Sequence, residues 1–317
     1  MQSHVNVMSS ADYRLEFLER RVPSAIALDP AQLSRQNDLW RQDMEKYGPW
    51  KQVVRDPSVQ GDTGRIWQSR KTAGEVKIVI CGACSSAMDV AWELSQKGLL
   101  APWDSVVAVS QQSGRGQRQR IWKSPAGNLY AAWCWPGPHS LSNLGWDSLY
   151  SLIAGYLAAD VLVDKGLAVQ IKWPNDLLIN GRKTGGILLE QKDDQVVVGI
   201  GLNIESHPED HLLRDEFAVP ATSLKNEALI TTPLSLWLDI VSAGKAKFYQ
   251  IVESLAPAEW TTILNRRLAW IGKRVRVNSG GSSSYEATIK GLAQDGGLEL
   301  QAGSKTNIIY TGSLTLV

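Results

Sequence analysis

The stretch VQIKWPNDLLINGRKTGGILLEQKDDQVVVGIGLNI, residues 169–204, decides the fold. Residues 169–173, 177–179, 186–190 and 196–204 are short apolar runs rich in Val, Ile and Leu, each the length of a strand. Between them stand Pro174-Asn175-Asp176 and Asn180-Gly181, residues that turn a chain; Asn-Gly supplies the positive φ of a tight hairpin. Successive strands joined by such turns pair antiparallel. The stretch therefore predicts an α+β core with an antiparallel or mixed sheet, rather than a doubly wound one.

Working upstream, residues 76–80 read as a buried strand and 85–94 as a helix, with Ser86 and Asp89 fitting a capping box. Strands follow at 106–110 and 128–135. A long helix from about Trp146 carries Leu149, Leu152, Ile153, Tyr156 and Leu157 at helical spacing, and Gly166 is a natural stop. Downstream, 205–232 is loop-rich and helices are expected at 234–255 and 259–268. Residues 268–317 then carry short β runs with glycine turns at Gly280-Gly281, Gly296-Gly297 and Gly312, which predict a separate small barrel. The expected organisation is an N-terminal extension of unknown role (1–75), a catalytic domain (76–267) whose mixed sheet has helices on one face, and the barrel (268–317). In 1–75, amphipathic pieces at 13–22 and 38–54 are broken by Pro23, Pro30, Gly48-Pro49 and the stretch 61–64. Eleven basic residues face ten acidic ones there, and no two-helix pattern with a tight glycine turn stands out, so DNA binding is not expected.

Composition narrows the classes. In 317 residues, 33 basic and 32 acidic groups give a formal charge of +1, so any polyanion contact must come from a local cluster. No apolar run approaches the roughly 18–20 residues of a membrane span, and no secretory pattern is visible, so a cytoplasmic protein without membrane partners is expected. Three cysteines cannot make a disulfide framework. Thirteen Trp against three Phe is unusual; most suit a core, though flat walls also suit a heterocyclic ligand.

Three loops carry chemistry. Residues 111–123 hold Arg115, Arg118, Arg120 and Lys123 with no acid, and Gly114 and Gly116 allow close backbone approach. This is neither a dinucleotide fingerprint, since Gln119 replaces the third glycine, nor a Walker A loop. A solvated basic loop is the plainer alternative. In Lys172-Trp173-Pro174-Asn175-Asp176, an amide and a carboxylate are presented at a sheet end. Asp176 there suits Mg²⁺ alongside substrate phosphates, while on spacing alone an ordinary turn is the more economical reading. The third loop, Gly181-Arg182-Lys183-Thr184-Gly185-Gly186, aims one Lys from between glycines, or is a hairpin turn with a solvated Lys. Together the three supply what joining a carboxylate to ATP requires, namely cations around two anions that repel each other.

Gly-Arg-Gly-x-Arg-x-Arg-x-Trp, then Lys-Trp-Pro-Asn-Asp, then Gly-Arg-Lys-x-Gly-Gly-Ile-Leu-x-Glu resembles the biotin protein ligase family. The likeness runs from about Ile78 to Val317, including an SH3-like barrel signature at Trp270-Ile271-Gly272-Lys273, Val275-Arg276-Val277 and Gly297-Leu298-Glu299-Leu300. It implies a class II synthetase-like fold and a two-step reaction. Biotin is activated by ATP, with Mg²⁺, as biotinyl-5′-AMP, and then passed to a lysine of a biotin carboxyl carrier protein. By the resemblance, Ser85, Ser86 and Ala87 lie where the family binds biotin's ureido group and sulfur, and Gln111 contacts biotin. Gly114, Arg115, Gly116, Gln117 and Arg118 form the loop over biotin and adenylate, with Arg115, Arg118 and Lys183 catalytic. Arg120 faces phosphate, and Trp122 stacks near adenine. Lys183, beside Gly185 and Gly186, bridges the biotin carboxylate and the α-phosphate. Asn175 and Asn203 contact the nucleotide, and Asp176 is the Mg²⁺ candidate.

The sequence departs from the family where Gln117 replaces an Arg, Cys84 stands where Asp is common, and Ala87 replaces a polar residue. The first 75 residues are not the winged helix-turn-helix of repressor-ligases. Cys81-Gly82-Ala83-Cys84 has the strand-to-helix context of a redox dithiol, though two small buried thiols are the plainer reading. His4, His139, His207 and His211 lack ligand spacing and read as surface residues. The alternatives are a lipoate or octanoate ligase on the same core, or a non-catalytic biotin-responsive regulator. A homodimer is left open.

Overall fold

The four runs of residues 169–204 form an antiparallel meander in the computed structural model, which describes residues 13–18, 22–54, 65–137, 146–210, 219–278 and 284–317. The expected turns at 61–64 and Gly280-Gly281, and His4, His139 and His211, lie outside the described residues. In chain order the first part comprises β1 (Tyr13–Phe17), α1 (Pro30–Ser34), α2 (Asp38–Tyr47), β2 (Trp50–Val54), β3 (Arg65–Ser69), β4 (Val76–Cys84), α3 (Ala87–Gln96), β5 (Ser105–Gln111) and β6 (Leu129–Pro136). Then come α4 (Tyr150–Asp164), β7 (Val169–Lys172), β8 (Asp176–Ile179), β9 (Arg182–Lys192), β10 (Gln195–Leu202), α5 (Pro233–Ser254) and α6 (Pro257–Asn265). Asn180 and Gly181 both take positive φ between β8 and β9, the backbone that an Asn-Gly hairpin uses.

The sheet has ten strands in the order β2-β3-β1-β4-β5-β6-β10-β9-β8-β7. β4 pairs parallel with β1 and β5, and every other pairing in it is antiparallel, so the sheet is mixed and the class is α+β. The boundary expected at residue 75 does not separate two units. β1 runs beside β4 from Tyr13↔Val76 to Phe17↔Ile80, and β2 and β3 extend the same sheet. Beyond β1, Ser24 and Ile26 pair by backbone with Ser85, Ala83 and Gly82.

Strand alternation divides the core between the two faces. Ile78, Ile80, Val107 and Val109 enter a core shared with α2, α4 and α5. Val79, Cys81, Val106 and Ala108 point the other way, against Val90, Ala91 and Leu94 of α3. The longer helices thus share one face as expected, and α3 covers part of the other. Most tryptophans fill the larger core: Trp133 meets Trp103, Trp135 and Trp237, while Phe248 meets Trp103, Trp135 and Tyr150, in mostly edge-on contacts. Asp160 of α4 joins that helix to α5 and α6, accepting from Lys247 and from Arg267 just beyond α6.

Residues 268–317 form the expected small unit, a five-stranded antiparallel sheet in the order β14-β13-β12-β11-β15. Its strands are β11 (Arg274–Asn278), β12 (Tyr285–Leu292), β13 (Leu298–Ala302), β14 (Lys305–Ile309) and β15 (Ser313–Leu316). It is fastened to the ten-stranded sheet: Ile171 exchanges backbone hydrogen bonds with Arg267 and Ala269, and the Trp173 indole donates to Gly296 O at 3.0 Å.

Candidate functional site

The three motif loops converge at the strand ends around one cavity of about 1020 Å³. Residues 111–124 form its lid. Gln111 and Ser124, then Arg115 and Ile121, face each other as antiparallel bridges, and Trp122 N donates to Gly114 O at 2.8 Å. A short 3₁₀ turn at Gln117–Gln119 closes the tip, where Arg118 has φ +57°. The basic loop is thus an ordered hairpin. Gly114 is required inside it, because a Cβ would lie 2.5 Å from Trp122 O and 2.7 Å from Ser124 Oγ.

At one end of the cavity, Ser86 caps α3, its hydroxyl accepting from Met88 N at 3.3 Å. The expected reciprocal box with Asp89 is not formed. Asp89 instead accepts from Ser85 Oγ (2.8 Å) and Arg115 (2.7 Å), since a nearby guanidinium is a stronger partner than a neutral backbone donor. The other arm of Arg115 reaches Glu190 at 3.1 Å, and Trp92 donates to the second Glu190 oxygen at 2.8 Å. Arg115 therefore ties the lid to α3 and β9. Gln111 accepts from Ala87 N and donates to Ser124 Oγ, which orients its amide.

At the other end, Trp122 lies over a glycine floor: a Cβ on Gly201 would meet its ring at 2.8 Å, and one on Gly186 at 3.1 Å. The Lys183 ammonium is 5.2 Å from the Trp122 ring centroid and 2.5 Å from Asp176 Oδ1. Lys172 takes Asp176 Oδ2 at 3.2 Å and faces the Trp270 ring at 5.5 Å. Burial works against the Asp176 charge, but the two lysines overcome it and hold its carboxyl at about 2. Two ammoniums on one carboxylate leave a net positive centre facing the cavity.

That pairing changes the reading of Asp176. Both its oxygens are engaged by cations, and the described residues contain no group of three or more His, Cys, Asp or Glu able to hold a metal ion. The donor set does not fit a protein-held Mg²⁺; Asp176 orients Lys183 and Lys172 instead.

Of the residues singled out from the sequence, Ser86, Gln111, Arg115, Gly116, Gln117, Arg118, Arg120, Trp122, Asn175, Asp176, Lys183, Gly186 and Asn203 line the cavity. Ser85, Ala87, Gly114 and Gly185 are not among its lining residues. Asn175 donates to Ile187 O at 2.6 Å and Asn203 to Thr222 O at 3.0 Å, so both amides also brace the walls. Sequence reasoning missed several lining residues. Lys172 sat unused in a motif already quoted, Met88 lay within the helix expected at 85–94 without being singled out, and Pro208, Val219 and Ala221 come from the stretch read as a loop-rich excursion. Residues 220–222 bond by backbone to Lys183, which makes them a wall. Asn278, Gly312 and Ser313 are contributed by the barrel. His207 is half-buried, its ring nitrogens near Pro208 O and Asn226. Cys81 and Cys84 are free and buried; contact with Cys84, then burial, pushes the Cys81 thiol well up, the reverse of an activated dithiol.

A mixed sheet thus carries a cationic, glycine-floored cavity under an arginine hairpin. Residues 82–203 match the model of the biotin/lipoate A/B protein ligase family. The bifunctional ligase/repressor BirA of Escherichia coli is 40% identical over 121 residues, 35% of this chain and 36% of that protein. The chain's match thus spans about a third of that relative's length. The biotin--[acetyl-CoA-carboxylase] ligase of Paracoccus denitrificans is 27% identical over 209 residues, 64% of this chain and 86% of that one. Among solved structures, the Aquifex aeolicus biotin protein ligase in complex with biotin and ATP shares the fold, with a TM-score of 0.62 and 22% identity over 76% of this chain and 98% of its own.

Proposed function

We propose that this chain activates biotin with ATP and transfers it to a lysine of a biotin carboxyl carrier protein. The observation that carries the reading is the Lys172–Asp176–Lys183 centre, placed beside Trp122 in the same cavity as Ser86 and Gln111. A biotin carboxylate and the α-phosphate of ATP repel one another, and a fixed ammonium between them offsets charge that concentrates as they meet. In the first step a carboxylate oxygen forms a bond to the α-phosphorus, and the bond to the bridging oxygen breaks, releasing pyrophosphate. In the second, an acceptor lysine amine attacks the acyl carbon, loses a proton, and expels AMP. Ser86 and Gln111 supply hydroxyl and amide groups suited to a ureido ring. Trp122 supplies a flat face for adenine, and the lid keeps water from the mixed anhydride.

The Paracoccus denitrificans relative, named as a biotin--[acetyl-CoA-carboxylase] ligase, supports this substrate over lipoate or octanoate. The deciding experiment is exchange of labelled pyrophosphate into ATP with biotin, lipoate or octanoate as the acid. Exchange with biotin alone is the expected result. Exchange driven by a linear acyl chain and not by biotin overturns the assignment, and exchange with none favours a non-catalytic role.

A further inference from the structure

The Thr311-Gly312-Ser313 corner of the barrel meets the tip of the arginine hairpin. Arg118 donates to Thr311 Oγ1 at 3.2 Å and to Ser313 Oγ at 3.4 Å, and Arg120 donates to the same Ser313 oxygen at 3.2 Å. One hydroxyl, on a residue only 9% exposed, thus receives two guanidiniums that are themselves on an exposed loop. Ser313 is fixed from behind, since it opens β15 and pairs by backbone with Asn278 of β11. The hairpin tip needs such an anchor. Arg118 holds a left-handed backbone that non-glycine residues seldom adopt, and Ile121 beside it is 84% exposed, so little apolar burial keeps the tip in place. The barrel also touches the opposite wall, through Trp173 to Gly296 and Lys172 to Trp270.

We propose that Ser313, supported by Thr311, is a positioning residue: its hydroxyl sets Arg118 and Arg120 over the cavity mouth and couples the seating of the barrel to closure of the lid. Two cations placed at the mouth recognise the polyphosphate of the nucleotide, so this function falls on the nucleotide and not on biotin. The assignment of the nucleotide rests on the proposed ligase reading. The mechanical part does not.

The test therefore has two arms, both on the full chain. Trypsin cleaves after arginine, so cutting at Arg118 and Arg120 reports directly whether the tip is held. Ser313→Ala is expected to speed cleavage there by roughly tenfold at an unchanged unfolding temperature, the scale of losing a hydrogen bond to a charged group. Ser313→Thr keeps the hydroxyl and suits a strand, and is expected to restore protection. In pyrophosphate exchange, the Ala variant should raise the KM for ATP about tenfold while the Kd for biotin stays within twofold. Unchanged cleavage in Ser313→Ala, or a Thr variant as labile as Ala, overturns the proposal. So does a change confined to biotin affinity. If the parent enzyme shows no biotin-dependent exchange, the ligase reading fails, and the cleavage arm still decides the role of Ser313.

Discussion

Lys183 and Asp176 form a contact of 2.5 Å at the end of β8, and Lys172 completes it from the other carboxylate oxygen. Three charges held this way give a positive centre whose position is set by β7, β8 and β9 rather than by a flexible side chain. The Asp176 carboxyl is held at about 2 although burial alone would raise it. It is thus ionised at neutral pH.

Lys183→Ala is expected to lose about 10²–10³ in biotin-dependent pyrophosphate exchange, the usual loss for one fixed donor at a developing charge. Its unfolding temperature should hardly change, because Lys172 keeps Asp176 paired. Asp176→Asn removes the charge that orients both lysines, and should lower kcat while biotin binding persists. Near-normal exchange in Lys183→Ala, checked with labelled pyrophosphate, would sink the assignment.

Arg115 calls for a different prediction than a free catalytic cation would. Its fork is divided between Asp89 and Glu190, so a point charge cannot replace it. Arg115→Lys is expected to weaken biotin binding by roughly tenfold to a hundredfold, corresponding to about 1.5–3 kcal/mol for a hydrogen bond to a charged group. Titration calorimetry with biotin measures this. A Lys variant that binds like the parent would show that the guanidinium geometry is irrelevant.

What the sequence disclosed and what it withheld follow from range. The meander from Val169 to Leu202 was readable because alternating apolar runs and Asn180-Gly181 encode pairing between neighbours. The cavity motifs were readable because glycines and charges cluster locally. β1 was not, since five residues from Tyr13 to Phe17 gain meaning only beside Val76–Cys84, far along the chain. Ser313 was illegible for the same reason: nothing near it in sequence announces Arg118. The long-range pairing also alters what truncation means. Removing residues 1–75 would take out β1 and the Ser24–Ile26 ladder that backs Ser85, so it tests folding and not an accessory role.

Gln117 opens the hairpin tip and lines the cavity where the family pattern has Arg. A neutral amide contributes about 1 kcal/mol to a phosphate contact against roughly 1.5–3 for a charged donor. Gln117→Arg is expected to slow release of biotinyl-adenylate several-fold, read by stopped flow. An unchanged or faster release means that Arg118 and Arg120 already hold the intermediate.

Asp43 on α2 gives the N-terminal segment a structural role with a pH signature. It is fully buried and accepts from Thr232 Oγ1 (2.5 Å), Leu234 N (2.9 Å) and Ser235 Oγ (3.2 Å), capping α5 from another part of the chain. Burial raises its carboxyl from 3.8 to about 6, more than those three donors lower it. A raised folded-state value stabilises the protein fully below pH 3.8 and loses that contribution as pH climbs through 6. Two units correspond to about 2–3 kcal/mol at most. Asp43→Asn removes this titration. The unfolding free energy of the parent minus that of the variant, from urea titrations, should therefore rise by up to that amount as pH falls from about 7 to about 4. Asp176 does not confuse the window: its lowered value makes its own contribution present above 3.8 and lost only as pH falls through 2. A difference between parent and variant that stays flat between pH 7 and 4 would show that Asp43 is not held in an environment hostile to its charge.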